Sequence, residues 1–435
     1  MIIQRDLIER IKPFINRQEF IAIVGPRQAG KSTFLEILKS YLTKDLSISE
    51  DLIHIVSFED RKLLAQFESD PVFFVRSYCP LMTGKIQYFM MDEFQYTEEG
   101  GQKLKLVYDT MKDVKIIITG SSSLEIKAQA GKYLVGRILT FNIYPFNFGE
   151  FLRAKDLRVE RIYQENNKEI TCWLFENRQI THKEGDDIFS QETMKSYEEF
   201  CIWGGYPAVV LSSTEEERCK VLDDIYNNYI LKDIKGLLEL ATEKELFSLS
   251  QRLATQIGNL VNYQELGQAS GLDYRRLKKH LNLLQETFIT REIRPFFRNR
   301  QKELTKNPKV FFLDLGFRNN LMENMNSLEK HSDSGAVVGN TVYIRLNELC
   351  NMSGDKINFW RTKAGAEVDF IFHTGGEEIP VEVKFSKFER AKISKSFASF
   401  IRVYNPKRGV VLTKNYWGVE KKGATEILFA PVCYL

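Results

Sequence analysis

The sequence predicts an α/β fold founded on a parallel sheet, followed by two further modules. Three observations carry this. Over roughly the first 150 residues, short apolar runs alternate with stretches of helical periodicity, the pattern of a parallel sheet covered on both faces. Residues 236–314 read as three helices and then two strands. Residues 340–435 return to apolar runs mixed with helix. The chain has 435 residues, and a prior of roughly 150 residues per domain gives about three domains. The divisions expected are an α/β core at 1–155, a helical linker or lid at 156–235, a three-helix and ribbon module at 236–330 and a small α/β module at 331–435.

The elements follow in order. Ile3, Leu7, Ile11 and Phe14 recur at helical spacing, so residues 1–18 read as an amphipathic helix. EFIAIVG (19–25) is a buried strand ending in glycine, and FLEILKSYL (34–42) is a helix. LIHIVSFED (52–60), KIQYFMMDEF (85–94) and VKIIITGSSS (114–123) are strands, with a helix over GQKLKLVYDTMKD (101–113). Residues 151–235 mix charge with aromatics, and the polar stretch 164–194 points to helices with at least one flexible loop. Gly204, Gly205 and Pro207 then mark a turn. LFSLSQRLATQIGNL, YQELGQASG and DYRRLKKHLNLLQETF are three helices; residues 291–314 are two strands joined by a basic loop. Three helices followed by a ribbon is the outline of a winged helix-turn-helix. TVYIRLNELC is helical, and INFWRT, EVDFIF, IPVEVKF, RGVVLTK and EILFAPV are strands of a small sheet.

Composition excludes several classes. The net charge of +3 does not make the whole chain a nucleic-acid binder, so any basic surface is local. Six scattered cysteines form no CxxC pair, which argues against a zinc site or a disulfide scaffold and for a reducing compartment. No apolar run approaches the roughly 18–20 residues of a membrane span. The N-terminus lacks the apolar core of a signal peptide, so a cytoplasmic protein with no membrane partner is expected. The five histidines are dispersed and form neither a metal set nor a Ser-His-Asp set.

The strongest motif is Gly25-Pro26-Arg27-Gln28-Ala29-Gly30-Lys31-Ser32-Thr33, a full G-x-x-x-x-G-K-[ST] with a strand before it and a helix after it. Its glycines let backbone N–H groups turn onto phosphate oxygens, and the helix presents its positive end to the same anion. Lys31 is placed to bridge the terminal phosphates and Ser32 to ligate Mg²⁺. Asp92 and Glu93 end an apolar strand, the Walker B arrangement. Asp92 would hold Mg²⁺ and Glu93 would act as general base on the attacking water. The strand IIITG ends at Ser121, Ser122 and Ser123. A sensor contacting the γ-phosphate and a helix-capping turn are both open for Ser121 and Ser122. Arg137 is either an arginine finger, in cis or from a neighbouring subunit, or a surface residue.

GPRQAGKST, FMMDEFQ, IIITGSSS, the Gly136-Arg137 pair and IYPFNFGEFL together resemble a group of prokaryotic AAA-type P-loop ATPases that carry an extra C-terminal domain of uncharacterised function. WGGYPAVV, PFFRNRQKELTKNPKVFFLDLGF, FWRTKAGAEVDFIF and PVEVKF extend that resemblance over nearly the whole chain. The resemblance implies ATP bound at the P-loop, a winged-helix second domain and a restriction-nuclease-like third. It also aligns Ser121, Ser122 and Arg137 with the family's sensor and Gly-Arg positions.

Between Tyr274 and Lys309 eleven Lys or Arg stand against three Glu, a local charge of +8 that leaves −5 for the remainder. Arg275, Arg276, Lys278 and Lys279 fall on the third helix, where recognition helices lie; Arg298, Arg300, Lys302 and Lys306 fall in the wing. Phosphate contacts from both would give salt-dependent duplex DNA binding; a solvated face of an ATPase lid, or a protein-binding surface, is the alternative. In the last module Asp369 falls in AEVDFIF, and Glu382 and Lys384 alternate on PVEVKF and so share a face. This Asp…Glu-x-Lys layout is that of PD-(D/E)xK nucleases, in which two carboxylates hold Mg²⁺ and the lysine orients water. The helical glutamate of that pattern is missing: Gly339-Asn340 stands where members of the resembled family tend to have Glu-Asn, and Glu348 is the substitute on the same helix.

The function expected is a Mg²⁺-dependent ATPase that couples hydrolysis to duplex DNA through the basic winged helix. No NKxD-type guanine motif occurs, which favours ATP. A regulatory ATPase acting on a protein partner and an ATP-gated nuclease are the rivals, and a homo-oligomer would let Arg137 act in trans.

Overall fold

The computed structural model describes residues 2–79, 84–121, 133–176, 185–186, 189–227, 243–298, 303 and 306–435. They form two compact units, Met1–Phe146 with Glu286–Ile289, and Asn147–Gln285 with Thr290–Leu435.

The first unit holds five parallel strands: β1 (Phe20–Val24), β2 (Ile53–Ser57), β3 (Gln87–Asp92), β4 (Val114–Gly120) and β5 (Ile138–Asn142), in the order β2-β3-β4-β1-β5. β1, β3 and β4 are buried at every position, which is why they read as continuous apolar runs without alternation. β5 escaped the sequence reading because it is a half-exposed edge strand with polar residues. The helix Lys31–Lys44 packs Phe34, Leu35 and Leu38 against Ile21, Ile23, Met90 and Ile117. The amphipathic helix expected over residues 1–18 is only Leu7–Ile11, followed by a 3₁₀ turn, Lys12–Phe14. Pro13 ends it, since proline lacks the N–H and crowds the preceding turn. Its apolar stripe nevertheless joins the core through Leu7, Ile11 and Ile15. Two helices not foreseen, Arg61–Ser69 and Pro71–Tyr78, are N-capped by Asp60 and Asp70. They carry Phe67 and Phe74 into a cluster with Phe58 and Phe94; the Phe58 and Phe67 rings lie 5.1 Å apart.

β4 separates β1 from β3. The C-terminal end of β4 therefore falls between the loop that follows β1 and the acids that end β3.

The second unit begins with helices Phe148–Lys155, Leu157–Glu176, Ser190–Trp203, Pro207–Leu211 and Glu215–Ile225. QENNKE, expected within a loop-bearing region, lies inside the second of these, with Asn166 and Asn167 buried. HKEGDD falls largely outside the described residues. Helices Glu243–Thr255, Tyr263–Ser270 and Tyr274–Glu286 follow, as expected. The strands are β6 (Gly185–Asp186), β7 (Thr290–Ile293), β8 (Lys309–Phe312), β9 (Lys356–Arg361), β10 (Glu367–Thr374), β11 (Glu377–Val383), β12 (Arg408–Thr413), β13 (Tyr416–Lys422) and β14 (Thr425–Pro431). β7 and β8 form an antiparallel ribbon. The others form one sheet, β6-β13-β14-β12-β11-β10-β9. In it β9, β10 and β11 are an antiparallel meander, and the helix Lys395–Tyr404 returns the chain to β12, parallel to β11. That helix and β13 were not read from the sequence.

The four segments read from the sequence thus fall into two units. The expected linker helix and the end of the chain share hydrogen bonds: Asn167 donates to the Tyr434 and Leu435 carbonyls (2.9 and 2.8 Å), and Arg345 to Leu435 (3.0 Å). β6, from the same expected linker, is an edge of the C-terminal sheet. A second joint forms where the Gly204-Gly205 turn meets Asp314. The Asp314 carboxylate accepts from Gly205 N and Phe317 N, both at 2.8 Å. Burial pushes this carboxyl up to about 6. Gly204 has a φ of +70°, and a Cβ there would sit 2.4 Å from Asp314 Oδ1.

All six cysteines are free. Among the described residues no helix is long and apolar enough to cross a membrane.

Candidate nucleotide site and a second carboxylate cluster

β1 delivers Gly25 into a tight passage: a Cβ there would lie 2.0 Å from the Ile143 carbonyl oxygen, so only glycine lets the chain turn at this point. Gln28 and Gly30 take left-handed backbone angles, φ 59° and 88°. Lys31, the first residue of the helix, is 4% exposed, and its Nζ donates to the Gly25 and Pro26 carbonyls at 3.2 and 2.9 Å. Pro26 and Ala29 are buried, whereas Ser32 and Thr33 are exposed at the helix start.

Ser32 Oγ donates to Asp92 Oδ2 at 2.5 Å, which brings the two residues expected to hold Mg²⁺ together. Asp92 is 7% exposed. Its other oxygen accepts from the Thr119 hydroxyl and from Glu93 N (3.1 Å). Glu93 N also lies 3.2 Å from Thr119 Oγ1. Glu93 itself is left-handed, φ 55° and ψ 43°, a strained conformation for a non-glycine residue at a strand end. Its carboxylate accepts from Gln95 Nε2. The Gln95 side-chain oxygen in turn accepts from Ser121 N at 3.3 Å. Ser121 is thus buried just past the end of β4, joined to Glu93 through Gln95; Ser122 lies outside the described residues.

Three contributors were missed by sequence reasoning. Thr119 had a usable signal, a hydroxyl inside an otherwise apolar strand. Gln95 had none beyond following the acids. Arg5 had none: it is 5% exposed and donates to the Ala29 carbonyl (2.8 Å) and the Tyr144 carbonyl (2.7 Å), fixing the loop from beneath. Arg27 Nη2 reaches the Tyr96 hydroxyl at 3.3 Å.

Arg137 does not join this group. Its carbonyl accepts from Phe20 N, so it lies at the start of β1 and β5, the opposite end of the sheet from the P-loop. There it pairs with Asp109 at 3.3 Å and covers the Tyr108 ring. A role in cis on its own nucleotide is thereby corrected: the length of β1 intervenes.

In the second unit, the β10–β11 register of Phe370 with Val381, continued by one residue, sets Asp369 opposite Glu382. Glu382 is 2% exposed; Oε1 accepts from Ser394 Oγ (2.6 Å) and lies 3.2 Å from Lys384 Nζ. Its Oε2 is buried with no hydrogen-bond partner. Asp369 Oδ2 accepts from Val383 N at 2.8 Å, and burial raises its carboxyl above the usual range. The structure thus brings Asp369, Glu382 and Lys384 together. Glu348 is engaged elsewhere, by Arg345 (2.6 Å) and Asn147 (2.7 Å). Among the described residues no group of three or more His, Cys, Asp or Glu side chains gathers as a metal site, so Glu348 does not supply the missing ligand. Gly339 leaves open space where a Cβ would stand, and Asn340 is structural, its amide pairing with both backbone groups of Phe312 (2.9 and 2.7 Å).

On the helix Tyr274–Glu286 the basic residues divide. Arg275 and Lys279 are exposed, Arg276 pairs with Glu245 at 2.7 Å, and Lys278 lies 3.5 Å over the Tyr263 ring. Arg298 is exposed beside the Tyr404 ring and Lys306 is exposed; Arg300 and Lys302 lie outside the described residues.

Comparison with known proteins now adds to this geometry. Residues 17–152 match the model of an AAA domain. Residues 194–328 and 334–431 match two domains of unknown function, DUF8612 and DUF4143. The first unit thus carries an AAA-type P-loop ATPase domain, a class that binds nucleotide, usually with Mg²⁺. Across the whole length, the chain is similar to an uncharacterized protein of Haemophilus influenzae, 23% identical over 99% of this chain and 97% of that one. An uncharacterized protein of Methanocaldococcus jannaschii is 22% identical over 92% of this chain and 82% of its own length. Among solved structures, the Walker-type ATPase PABY2304 of Pyrococcus abyssi aligns over 74% of this chain and 96% of its own, at 15% identity and a TM-score of 0.43. The ORC1 protein of Aeropyrum pernix, in complex with DNA, aligns over 74% and 93% at 13% identity and a TM-score of 0.31.

Proposed function

We propose that the chain is a Mg²⁺-dependent ATPase whose turnover is coupled to duplex DNA held by the basic three-helix module. The observation that carries the hydrolytic half is the unbroken chain Ser32–Asp92–Thr119–Glu93 at the mouth of the P-loop. The turn at Gln28–Gly30 and the N-terminal end of the helix Lys31–Lys44 bind phosphate. Lys31 exchanges its loop carbonyls for the β- and γ-phosphate oxygens. Ser32 and Asp92, a hydroxyl and a carboxylate in contact, are the hard oxygen donors Mg²⁺ takes, and the ion would neutralise developing phosphate charge. Glu93 accepts the proton of the attacking water, and Ser121 and Ser122 sense the γ-phosphate. Arg137, remote from its own P-loop, acts on a neighbouring subunit's nucleotide in a homo-oligomer. Phosphate release from Mg·ATP is the test. Lys31→Ala abolishes it, and equal turnover by Glu93→Gln overturns the assignment of the base.

The DNA half rests on the winged-helix layout. Gly267 packs so closely on the turn that a Cβ would lie 2.8 Å from the Leu272 carbonyl. Asp273 caps the third helix through the Arg275 and Arg276 amides, and Leu260 makes a single antiparallel bridge to Lys309 beside the two-stranded ribbon. Arg275, Lys279, Arg298 and Lys306 then meet phosphates, with Arg276, Lys278, Arg300 and Lys302 in support. Duplex binding falls steeply with salt on this reading; a flat salt response, or turnover indifferent to DNA, moves the assignment to a regulatory ATPase with a protein partner.

A second reading, an ATP-gated nuclease, is favoured by one observation: the buried, unpartnered Glu382 Oε2 beside Asp369 and Lys384. Mg²⁺-dependent nicking abolished by Asp369→Ala is its test.

A further inference from the structure

The sequence FMMDEFQ contributes its two acids to the site, but the structure gives the glutamine a place as well. Gln95 sits in the 3₁₀ turn Phe94–Tyr96, directly after Glu93. That turn is pinned on both sides. Phe94 is buried in the cluster of Phe58 and Phe67, with ring centroids 6.0 Å away in each case. Tyr96 receives Arg27 of the P-loop and lies under the Arg61 guanidinium. Between these anchors, the Gln95 amide faces two ways. Its nitrogen donates to the Glu93 carboxylate, and its oxygen accepts from the Ser121 amide at the end of β4. The orientation is self-consistent, because a flipped amide would set oxygen against carboxylate and nitrogen against N–H.

We propose that Gln95 is a positioning residue that ties the general base to the sensor strand. Glu93 leaves β3 in a left-handed conformation, so its side chain is not aimed by the strand itself; two hydrogen bonds, one to its backbone and one to its carboxylate, hold it instead. Thr119 holds its backbone and Gln95 holds its carboxylate, and both partners lie on or beside β4. A shift of the β4 end by a γ-phosphate contact is therefore felt at the base through Gln95. The amide donates to the anionic form of Glu93 and cannot take its proton, so Gln95 orients without competing as a base.

This inference rests on Glu93 being the base, and the experiment separates the two. Single-turnover and steady-state ATP hydrolysis, with Mg·ATP affinity measured separately, are compared for the native protein, Glu93→Gln, Gln95→Ala and the double variant. Gln95→Ala is expected to lower kcat about tenfold, with nucleotide affinity unchanged. In the Glu93→Gln background, the same substitution is expected to change nothing further, since the partner it aims is gone. Native kcat in Gln95→Ala overturns the proposal. So does an equal fractional loss in both backgrounds, which would mark a merely structural residue. Native kcat in Glu93→Gln overturns the assignment of the base itself. Gln95→Glu, similar in shape but unable to donate as a carboxylate, guards against a packing effect: it is expected to fall at least as far as Gln95→Ala, and native turnover there also overturns the proposal.

Discussion

The two sites are built from similar parts. Each sets carboxylates at a strand end beside a lysine and a serine. In the first unit, Asp92 shares both oxygens, with Ser32 on one and Thr119 and Glu93 N on the other. In the second, Glu382 has one oxygen engaged by Ser394 and Lys384 and the other buried without a partner. The first is a finished network around a loop already turned for phosphate. The second has two carboxylates and a lysine but no third acid. The difference teaches that assembly of matching residue types is not enough; what separates the sites is whether each buried polar atom has been given something to do.

The sharpest way to break this comparison is at Gly25. Gly25→Ala forces a Cβ onto the Ile143 carbonyl and is expected to abolish nucleotide binding, as read by a fluorescent ATP analogue, while leaving the second unit's melting intact. Next, Glu93→Gln is expected to keep Mg·ATP affinity and lose turnover by at least about a hundredfold. On the other side, Gly204→Ala strains the joint at Asp314 and is expected to cost about 2 kcal/mol or more in denaturant unfolding of the second unit, without changing ATP affinity.

A subtler test concerns metal. If the open Glu382 oxygen marks a cation site, Mg²⁺ without nucleotide raises the melting temperature of a Lys31→Ala protein, and Asp369→Ala removes the rise. No rise would leave the second cluster as an ion pair with Lys384. The smallest effect is in pH. The folded Asp314 carboxyl, raised to about 6 from an ordinary 3.8, binds its proton before the unfolded chain does, so its contribution falls as pH climbs from about 4 to 6. His373, lowered by burial to about 4 from 6.5, acts oppositely: the unfolded chain takes the proton first, so stability is lost as pH falls from about 6.5 to 4. The two slopes oppose one another in the second unit. His373→Phe is therefore expected to leave stability that declines toward pH 6, and Asp314→Asn one that declines toward pH 4, in urea titrations.

Much of the first site was legible because its information is local. The P-loop needs contiguous residues whose backbone angles the glycines set, and β3 and β4 were long apolar runs. Thr119, Gln95 and Arg5 were not legible for the opposite reason: each acts on a residue far along the chain, or across a strand order that places β4 between β1 and β3. The same limit governed Arg137, which a Gly-Arg pairing marked but only the strand direction could place. In the second unit, the grouping of Asp369 with Glu382 followed from two strand patterns, whereas the role of Asn340 did not. A buried amide pairing with Phe312 leaves no periodic trace. The helices Arg61–Ser69 and Lys395–Tyr404 were short enough for their capping Asp60 and Ser394 to pass as loop residues.

The ribbon β7–β8 and the residues just after β7 are fastened at two points to the C-terminal sheet and at a third to the helix Ser334–Ser353. Asn340 grips Phe312, Lys309 pairs with Glu367, and Arg294 and Phe296 exchange backbone hydrogen bonds with Phe359. Glu367 is two residues from Asp369 on β10, so the strand that holds the ribbon through Lys309 also carries one member of the carboxylate pair.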